Sequence, residues 1–279
     1  MNMKTRLILK RMYRRKSVAF FTVILLIIVL SSIAAPFIAP NDVYKTDLLN
    51  RFAAPSAQFP FGTDELGRCI FSRILFGGRA SLAYALVATS IASVIGTTVG
   101  MISGYKGGWV DGLIMRICDI MYSFPHLVIT LVIVAVLGSG IYNILIAMLV
   151  TQWLYYARMS RSLTINIRNQ DFVAAARSSG SSAFKIIFKH ILPNIIPQMI
   201  AITTIDFGHT ILTISGLSFL GLGVQPPSPE WGALINGARD FIYTDIKLLL
   251  WPGFIILLVV LSVNVIGDNL RDALDMKMD

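Results

Sequence analysis

The sequence is poor in charged residues and in cysteine. Of its 279 residues, 14% are charged and 55% are hydrophobic. A soluble chain of this length carries far more charge, so the composition predicts a membrane protein. The two cysteines, Cys69 and Cys118, are too few for a disulfide framework. We expect them near opposite membrane surfaces and therefore not bonded to each other.

Several catalytic and metal-binding signatures are missing. The sequence contains no Gly-x-x-x-x-Gly-Lys-Ser/Thr loop, which excludes ATP hydrolysis by that route. It also contains no His-Glu-x-x-His and no Cys-x-x-Cys, so a zinc protease or a thiolate metal site has no support. No nucleophile and base pair suggests a membrane enzyme. We therefore expect no enzyme activity and no cofactor, and any energy must come from a partner.

Long uncharged runs predict the membrane-spanning helices. The run 120–157 would be about 57 Å long as one helix, whereas a bilayer core needs only about 20 residues. It is therefore predicted to be two helices, with a break at Gly138-Ser139-Gly140. The other apolar runs are 17–41, 80–105, 194–224 and 248–267. Lipid requires the backbone to bond to itself, so the sequence predicts an all-α protein with six transmembrane helices.

The distribution of Lys and Arg predicts the orientation. With both chain ends in the cytoplasm, 17 of the 24 basic residues fall on the inner side, as the positive-inside rule requires. The predicted segments are a basic cytoplasmic N-terminus (1–16), a first transmembrane helix (17–40), an external loop (41–79), a five-helix core (80–268) and a cytoplasmic tail (269–279). The basic N-terminus suits the inner leaflet, so the net charge of +9 needs no nucleic-acid partner.

A basic segment at 171–193 carries most of the functional information. It begins at Asp171, and Ala174, Ala175 and Ala176 favour a helical turn. Gly180 can supply a left-handed residue that ends this helix. A second short helix fits Ala183 to Ile191, and the Leu192-Pro193 step marks the start of a new element. Two short helices at an angle would form a projection that can bind in a groove of a partner protein.

The spacing of these residues resembles the "EAA" loop in permease subunits of ATP-binding-cassette (ABC) importers. The alanines, Gly180 and Leu192-Pro193 match the pattern, whereas Ala174 replaces the usual Glu and His190 the usual Ile. The resemblance implies that the segment 171–193 docks on an ATPase. The missing Glu removes any ion pair that it would form there.

Three further stretches resemble the peptide/nickel branch of these permeases. They are 61–68, 218–232 and 264–275. The second is predicted to be a helix that stops at glycines, followed by a Pro-rich turn and by Trp231 at the membrane interface. The resemblance implies a type I importer fold in the cytoplasmic membrane. It also implies three kinds of partner: a second homologous permease, two ATPases and an extracytoplasmic binding protein.

The cargo is predicted from two segments, 155–163 and 206–217, which resemble nickel permeases more than peptide permeases. Nickel or a metal chelate is therefore the expected cargo, and import of dipeptides or oligopeptides by the same architecture is the alternative. A second alternative is an ion-driven transporter with Asp206 and His209 as a proton relay, although no inverted repeat is visible.

Asp206 and His209 also permit two structural interpretations. They lie three residues apart, so they share one face of a membrane helix. Ionisable groups there usually face a bundle interior or a cavity, which predicts a position on the translocation pathway. Carboxylate and imidazole also suit Ni(II), but two ligands do not make a metal site. We favour a hydrogen bond between the two side chains, because a buried charge generally needs a partner.

Glycines at 96, 100 and 104 repeat along one face of the second predicted helix. Small residues four apart let helices approach closely in lipid. The repeat predicts a helix-packing seam, which is either a specific part of the translocation core or ordinary packing.

Overall fold

A computed structural model describes residues 15–275. Within that range the regular secondary structure is helical, apart from an isolated bridge between Thr63 and Cys69. The helices are α1 (Lys16–Ile33), α2 (Ile70–Lys106), α3 (Gly108–Tyr122), α4 (His126–Leu137), α5 (Ile141–Arg168), α6 (Asp171–Ser178), α7 (Ala183–Phe219), α8 (Trp231–Ala238) and α9 (Lys247–Asp275). A single turn at Ala35–Ile38 follows α1.

Four helices of the described chain, α1, α2, α7 and α9, are long and apolar enough to cross a membrane. Helices α3 and α4 meet at an 83° bend and together make a fifth candidate. Helix α5 has 28 residues, which is long enough, but its polar residues exclude it from this set. Thr151 and Gln152 are buried on α5. The predicted count of six spans is therefore not confirmed by length and composition.

The break at Gly138-Ser139-Gly140 is confirmed. Helix α4 ends at Leu137 and α5 begins at Ile141. Gly138 and Gly140 have φ angles of +94° and +141°, in the region that favours glycine. The Gly140 N–H donates to the carbonyl of Leu222 at 2.8 Å, which ties this turn to the segment that follows α7.

Several helices cross the boundaries that the sequence predicted. Helix α2 begins at Ile70, inside the segment predicted as an external loop, and α9 runs to Asp275, inside the predicted tail. The predicted N-terminal segment 1–16 lies outside the described residues, except for Arg15 and Lys16. Arg15 bonds with Asn269 at 2.6 Å and with Asp272 at 3.1 Å. The start of α1 and the end of α9 therefore lie at the same end of the bundle.

The glycine repeat is confirmed as a packing seam between α2 and α5. A Cβ atom at Gly96 would lie 2.2 Å from the carbonyl oxygen of Trp153. One at Gly100 would lie 2.0 Å from the Ser160 hydroxyl. That hydroxyl donates to the Thr97 carbonyl at 3.1 Å. The two backbones can approach this closely only because α2 has no side chain at these positions.

Trp231 was predicted to lie at the membrane interface, and this is wrong. It is fully buried, and its indole N–H donates to the carbonyl of Ile74 at 3.0 Å. Gly77 and Gly78 of α2 make room for its ring, because a Cβ at Gly78 would lie 2.9 Å from it. The local pattern of an aromatic residue after a Pro-rich turn did not show this pocket.

Candidate functional site

The segment that was predicted to dock on an ATPase begins with helix α6. The helix ends as predicted, with Gly180 in a left-handed conformation at φ +75°. The Ser181 N–H donates to the Ala176 carbonyl at 3.1 Å, and the Gly180 N–H to the Arg177 carbonyl at 3.0 Å. These two bonds form a Schellman motif, which satisfies the last carbonyls of the helix.

Helix α6 buries one apolar residue and exposes most of the predicted contact residues. Val173 is fully buried. Asp171, Ala174 and Ala175 are exposed, and Ala176 is half-buried. The surface that a partner could touch therefore combines small alanines with the charged side chains of Asp171 and Arg177.

The predicted second short helix is not a separate element. Ala183 begins α7, which continues past Leu192 and Pro193 to Phe219. A π-helical turn at Ile186–Ile191 precedes the proline. Proline lacks an N–H donor, so Pro193 cannot donate a hydrogen bond to the preceding turn of the helix. The π turn, with its wider hydrogen-bond spacing, lies at this position. Leu192 is half-buried and Pro193 is exposed.

An apolar cluster joins this segment to the membrane helices. Val173 packs in one cluster with Ile187 and Ile191 of α7, with Met101 of α2 and with Tyr156 of α5. Helix α6 therefore rests on the start of α7.

Asp206 lies on α7 and its carboxylate is bound to α5. Its Oδ2 atom accepts hydrogen bonds from the Tyr156 hydroxyl at 2.6 Å and from the Gln152 amide at 2.9 Å. The same amide donates to Thr210, whose hydroxyl accepts a bond from Thr89 of α2 at 3.0 Å. This polar network connects α2, α5 and α7 within their apolar stretches.

The predicted hydrogen bond between Asp206 and His209 is wrong for this structure. No hydrogen bond or ion pair within residues 15–275 joins the two side chains, and His209 is exposed. Their spacing does place them on adjacent turns of α7. The carboxylate instead reaches donors on a neighbouring helix, which the spacing within one helix could not indicate.

The sequence matches two family models. Residues 96–279 match the model described as "Binding-protein-dependent transport system inner membrane component". Residues 5–55 match the "N-terminal TM domain of oligopeptide transport permease C". The chain belongs to the peptide/nickel permease family of ABC importers. It is an integral membrane subunit of the translocation machinery, and members of this family are not themselves enzymes.

Curated relatives of this permease differ in the cargo that their names state. It is 43% identical to the dipeptide transport system permease protein of Alkalihalophilus pseudofirmus, over 96% of this chain and 88% of that protein. It is 44% identical to the glutathione transport system permease protein of Escherichia coli O157:H7, with the same coverage. It is 38% identical to the nickel transport system permease protein of Escherichia coli K12, over 94% of both chains.

A solved structure has the same fold as this permease. In the inward-facing MetNI methionine ABC transporter, one chain aligns with a TM-score of 0.60 and 17% identity. The alignment covers 72% of this permease and 96% of that chain. The likeness confirms the type I importer fold that the sequence motifs implied.

Sequence reasoning missed Gln152 and Tyr156 of the permease. They lie four residues apart, so both project from the same face of α5. A signal was available, because a glutamine within an apolar membrane helix generally needs a hydrogen-bond partner. No group of three His, Cys, Asp or Glu residues that could hold a metal ion occurs in the described part of the chain. Both cysteines are buried and free.

The outer motif 61–68 of the permease forms an ion-paired turn. Asp64 Oδ2 accepts from Arg68 Nε at 2.7 Å, and Arg68 also pairs with Glu65 at 2.8 Å. Burial raises the pKa of Glu65, and the adjacent Asp64 charge raises it further. Gly67 lies so close to the Asp47 carbonyl that a Cβ would be 1.7 Å from it. This compact turn precedes α2 and fixes its start.

Proposed function

We propose that this chain carries cargo across the cytoplasmic membrane as one of two homologous permeases. Two partner ATPases and an extracytoplasmic binding protein complete the importer. The proposed topology has six spans (α1, α2, the bent pair α3–α4, α5, α7 and α9), with both chain ends in the cytoplasm. The pairing of Arg15 with Asp272 at one end of the bundle supports placing both ends on the same side.

The observation that supports this proposal is the packing of α6 against α7. Its buried Val173 rests on α7, while Asp171, Ala174 and Ala175 remain exposed. We infer that these exposed residues contact an ATPase, together with Ala176, Gly180, Leu192 and Pro193 as parts of the same segment. Closure of the ATPases would move α6, and α7 would tilt with it. Because Ala174 stands in place of the family's Glu, this contact depends on shape more than on charge.

Two cargo classes remain in the proposal. The segments 155–163 and 206–217 favour nickel or a metal chelate. The dipeptide and glutathione relatives favour short peptides. In both cases Asp206 and His209 are proposed to lie on the pathway, since an ionisable residue on a membrane helix usually faces a cavity.

Transport by the assembled complex tests this function. The chain would be co-expressed with its neighbouring permease, ATPases and binding protein in cells that lack related importers. Uptake of radioactive nickel, with and without a histidine-like chelator, would be compared with uptake of a labelled dipeptide. Uptake that vanadate inhibits supports an ATP-driven importer. Uptake that an uncoupler abolishes at constant ATP would instead support the ion-driven alternative.

A further inference from the structure

The charge of Asp206 has no counter-ion within the described chain. None of the ion pairs of residues 15–275 includes it. Its two hydrogen bonds come from a phenol and an amide, which orient a carboxylate but carry no charge of their own. A half-buried charge on a membrane helix is costly unless something of opposite sign approaches it. A cation that approaches this carboxylate would therefore be stabilised.

The carboxylate is held in a way that keeps one oxygen available. Both hydrogen bonds from the described residues end on Oδ2. Oδ1 therefore remains as an acceptor. The amide oxygen Oε1 of the neighbouring Gln152 is buried and also has no partner in the described chain. Two acceptors without donors in the described chain therefore belong to the pair of residues that joins α5 to α7 here.

The aromatic side chains beside Asp206 belong to α5. The Tyr156 hydroxyl contacts the carboxylate directly. Tyr155 is half-exposed and packs edge-on against Tyr156, with ring centres 5.6 Å apart.

We propose that Asp206 recognises an ammonium group of the cargo, such as the N-terminus of a short peptide, as the cargo passes between the helices. The inference rests on the proposed function and selects the peptide class within it. An ammonium carries one positive charge and three hydrogen-bond donors, which match the uncompensated carboxylate and the unfilled acceptors. The Tyr155 ring supplies an aromatic face of the kind that binds organic cations. Separation of α5 from α7 would expose the Gln152 oxygen to the same group.

The test uses the complete importer in proteoliposomes with its binding protein present. Three cargoes would be compared: labelled dialanine, N-acetyl-dialanine and nickel. The variants are Asp206→Asn, which removes the charge at nearly constant shape, and Asp206→Glu, which keeps it. Thr204→Val is the matched control, because within the described residues the Thr204 hydroxyl donates to the carbonyl of Ile200 on its own helix. Each rate is expressed relative to wild type for the same cargo, so the selectivity of the binding protein cancels.

We expect Asp206→Asn to lower dialanine uptake per ATP about tenfold, the loss that accompanies one charge-assisted hydrogen bond. Thr204→Val should stay within about twofold of wild type, and Asp206→Glu should retain more dialanine uptake than Asp206→Asn because it keeps the charge. Stimulation of the ATPase by the loaded binding protein should persist in all three variants. If Asp206→Asn assembles normally but ATPase stimulation falls together with dialanine uptake, the role of Asp206 is structural and the proposal is overturned.

Other outcomes are equally decisive. Loss of nickel uptake with dialanine uptake unchanged would make Asp206 a metal contact and would overturn the ammonium assignment. A wild-type complex that moves none of the cargoes would contradict the proposed function itself. If Asp206→Asn does not assemble, Tyr155→Leu should lower dialanine uptake about threefold while Tyr155→Phe preserves it, because only the second variant keeps the ring. Equal rates in those two variants would contradict the proposal.

Discussion

The carboxylate of Glu230, fully buried, accepts a hydrogen bond of 2.8 Å from the hydroxyl of Ser81 on α2. The same carboxylate caps helix α8 by accepting from the N–H groups of Gly232 at 3.0 Å and Ala233 at 2.9 Å. Glu230 therefore links the start of α8 to α2 through three hydrogen bonds.

Removing this carboxylate should destabilise the permease. Glu230→Ala leaves the α8 N–H groups and the Ser81 hydroxyl without their acceptor, and each such loss costs about 1–3 kcal/mol. We expect a melting temperature several degrees lower in detergent, measured by thermal aggregation of the purified protein. The matched control is Asp240→Asn, because the Asp240 side chain is 77% exposed and forms only an exposed ion pair. Equal melting temperatures for Glu230→Ala and wild type would contradict the structure.

The glycine seam makes a second prediction. Gly100→Ala places a methyl group 2.0 Å from the Ser160 hydroxyl and 2.2 Å from the Ala157 carbonyl, so α2 and α5 must separate. Overpacking of this kind costs about 1–3 kcal/mol. Gly112→Ala is the control, since nothing lies within 4 Å of the added Cβ. Unfolding in detergent should show a loss of stability for Gly100→Ala, and no loss for Gly112→Ala.

The proposed ATPase contact predicts a docking defect without a folding defect. Ala175 is exposed on α6, so Ala175→Trp should leave the permease folded while its bulk prevents close contact with the ATPase. We expect at least about tenfold less ATPase to co-purify with the variant, corresponding to about 1.4 kcal/mol of lost affinity. Ala54→Trp, at an exposed position of the outer loop, should co-purify a normal amount. A normal yield of ATPase with both variants would contradict the assignment of this surface.

The topology can be tested with single cysteines. Leu49 is 98% exposed in the proposed external loop, and Phe184 is 71% exposed at the start of α7. After Cys69 and Cys118 are replaced by Ala, a membrane-impermeant maleimide should label Leu49→Cys in intact spheroplasts. It should label Phe184→Cys only after the membrane is opened. Labelling of both positions from outside would exclude the six-span arrangement with both ends inside.

Local signals in the sequence determined part of this structure. The break at Gly138-Ser139-Gly140 was predictable because an uncharged run longer than one bilayer crossing must turn, and glycines tolerate the required angles. The end of α6 at Gly180 was predictable for the same backbone reason. These are properties of short segments, so a single sequence contains them.

Contacts between distant segments were not predictable in this way. Pro193 was expected to separate two helices, but a π turn lets α7 continue through it. Trp231 was expected at the membrane interface, whereas it lies in a pocket that glycines on another helix make possible. Asp206 was paired with His209 on its own helix, whereas Tyr156 on α5 provides the donor. For Trp231 and Asp206 the deciding contact comes from a residue far away in the chain. For Pro193 it is a rare helical geometry.

The continuity of α7 also sets how far Asp206 lies from the α6 contact along one helix. Its 37 residues make a rod about 55 Å long, with the α6 contact at one end and the Leu222–Gly140 bond just beyond the other. Asp206 stands about 35 Å along that rod from Ala183. If the far end serves as the fulcrum, a push on α6 reaches the carboxylate at reduced amplitude, after passing the π turn and Pro193. The number of residues between Ala183 and Asp206 would then be constrained. Adding or deleting a single residue there would rotate the carboxylate by about 100° away from Tyr156.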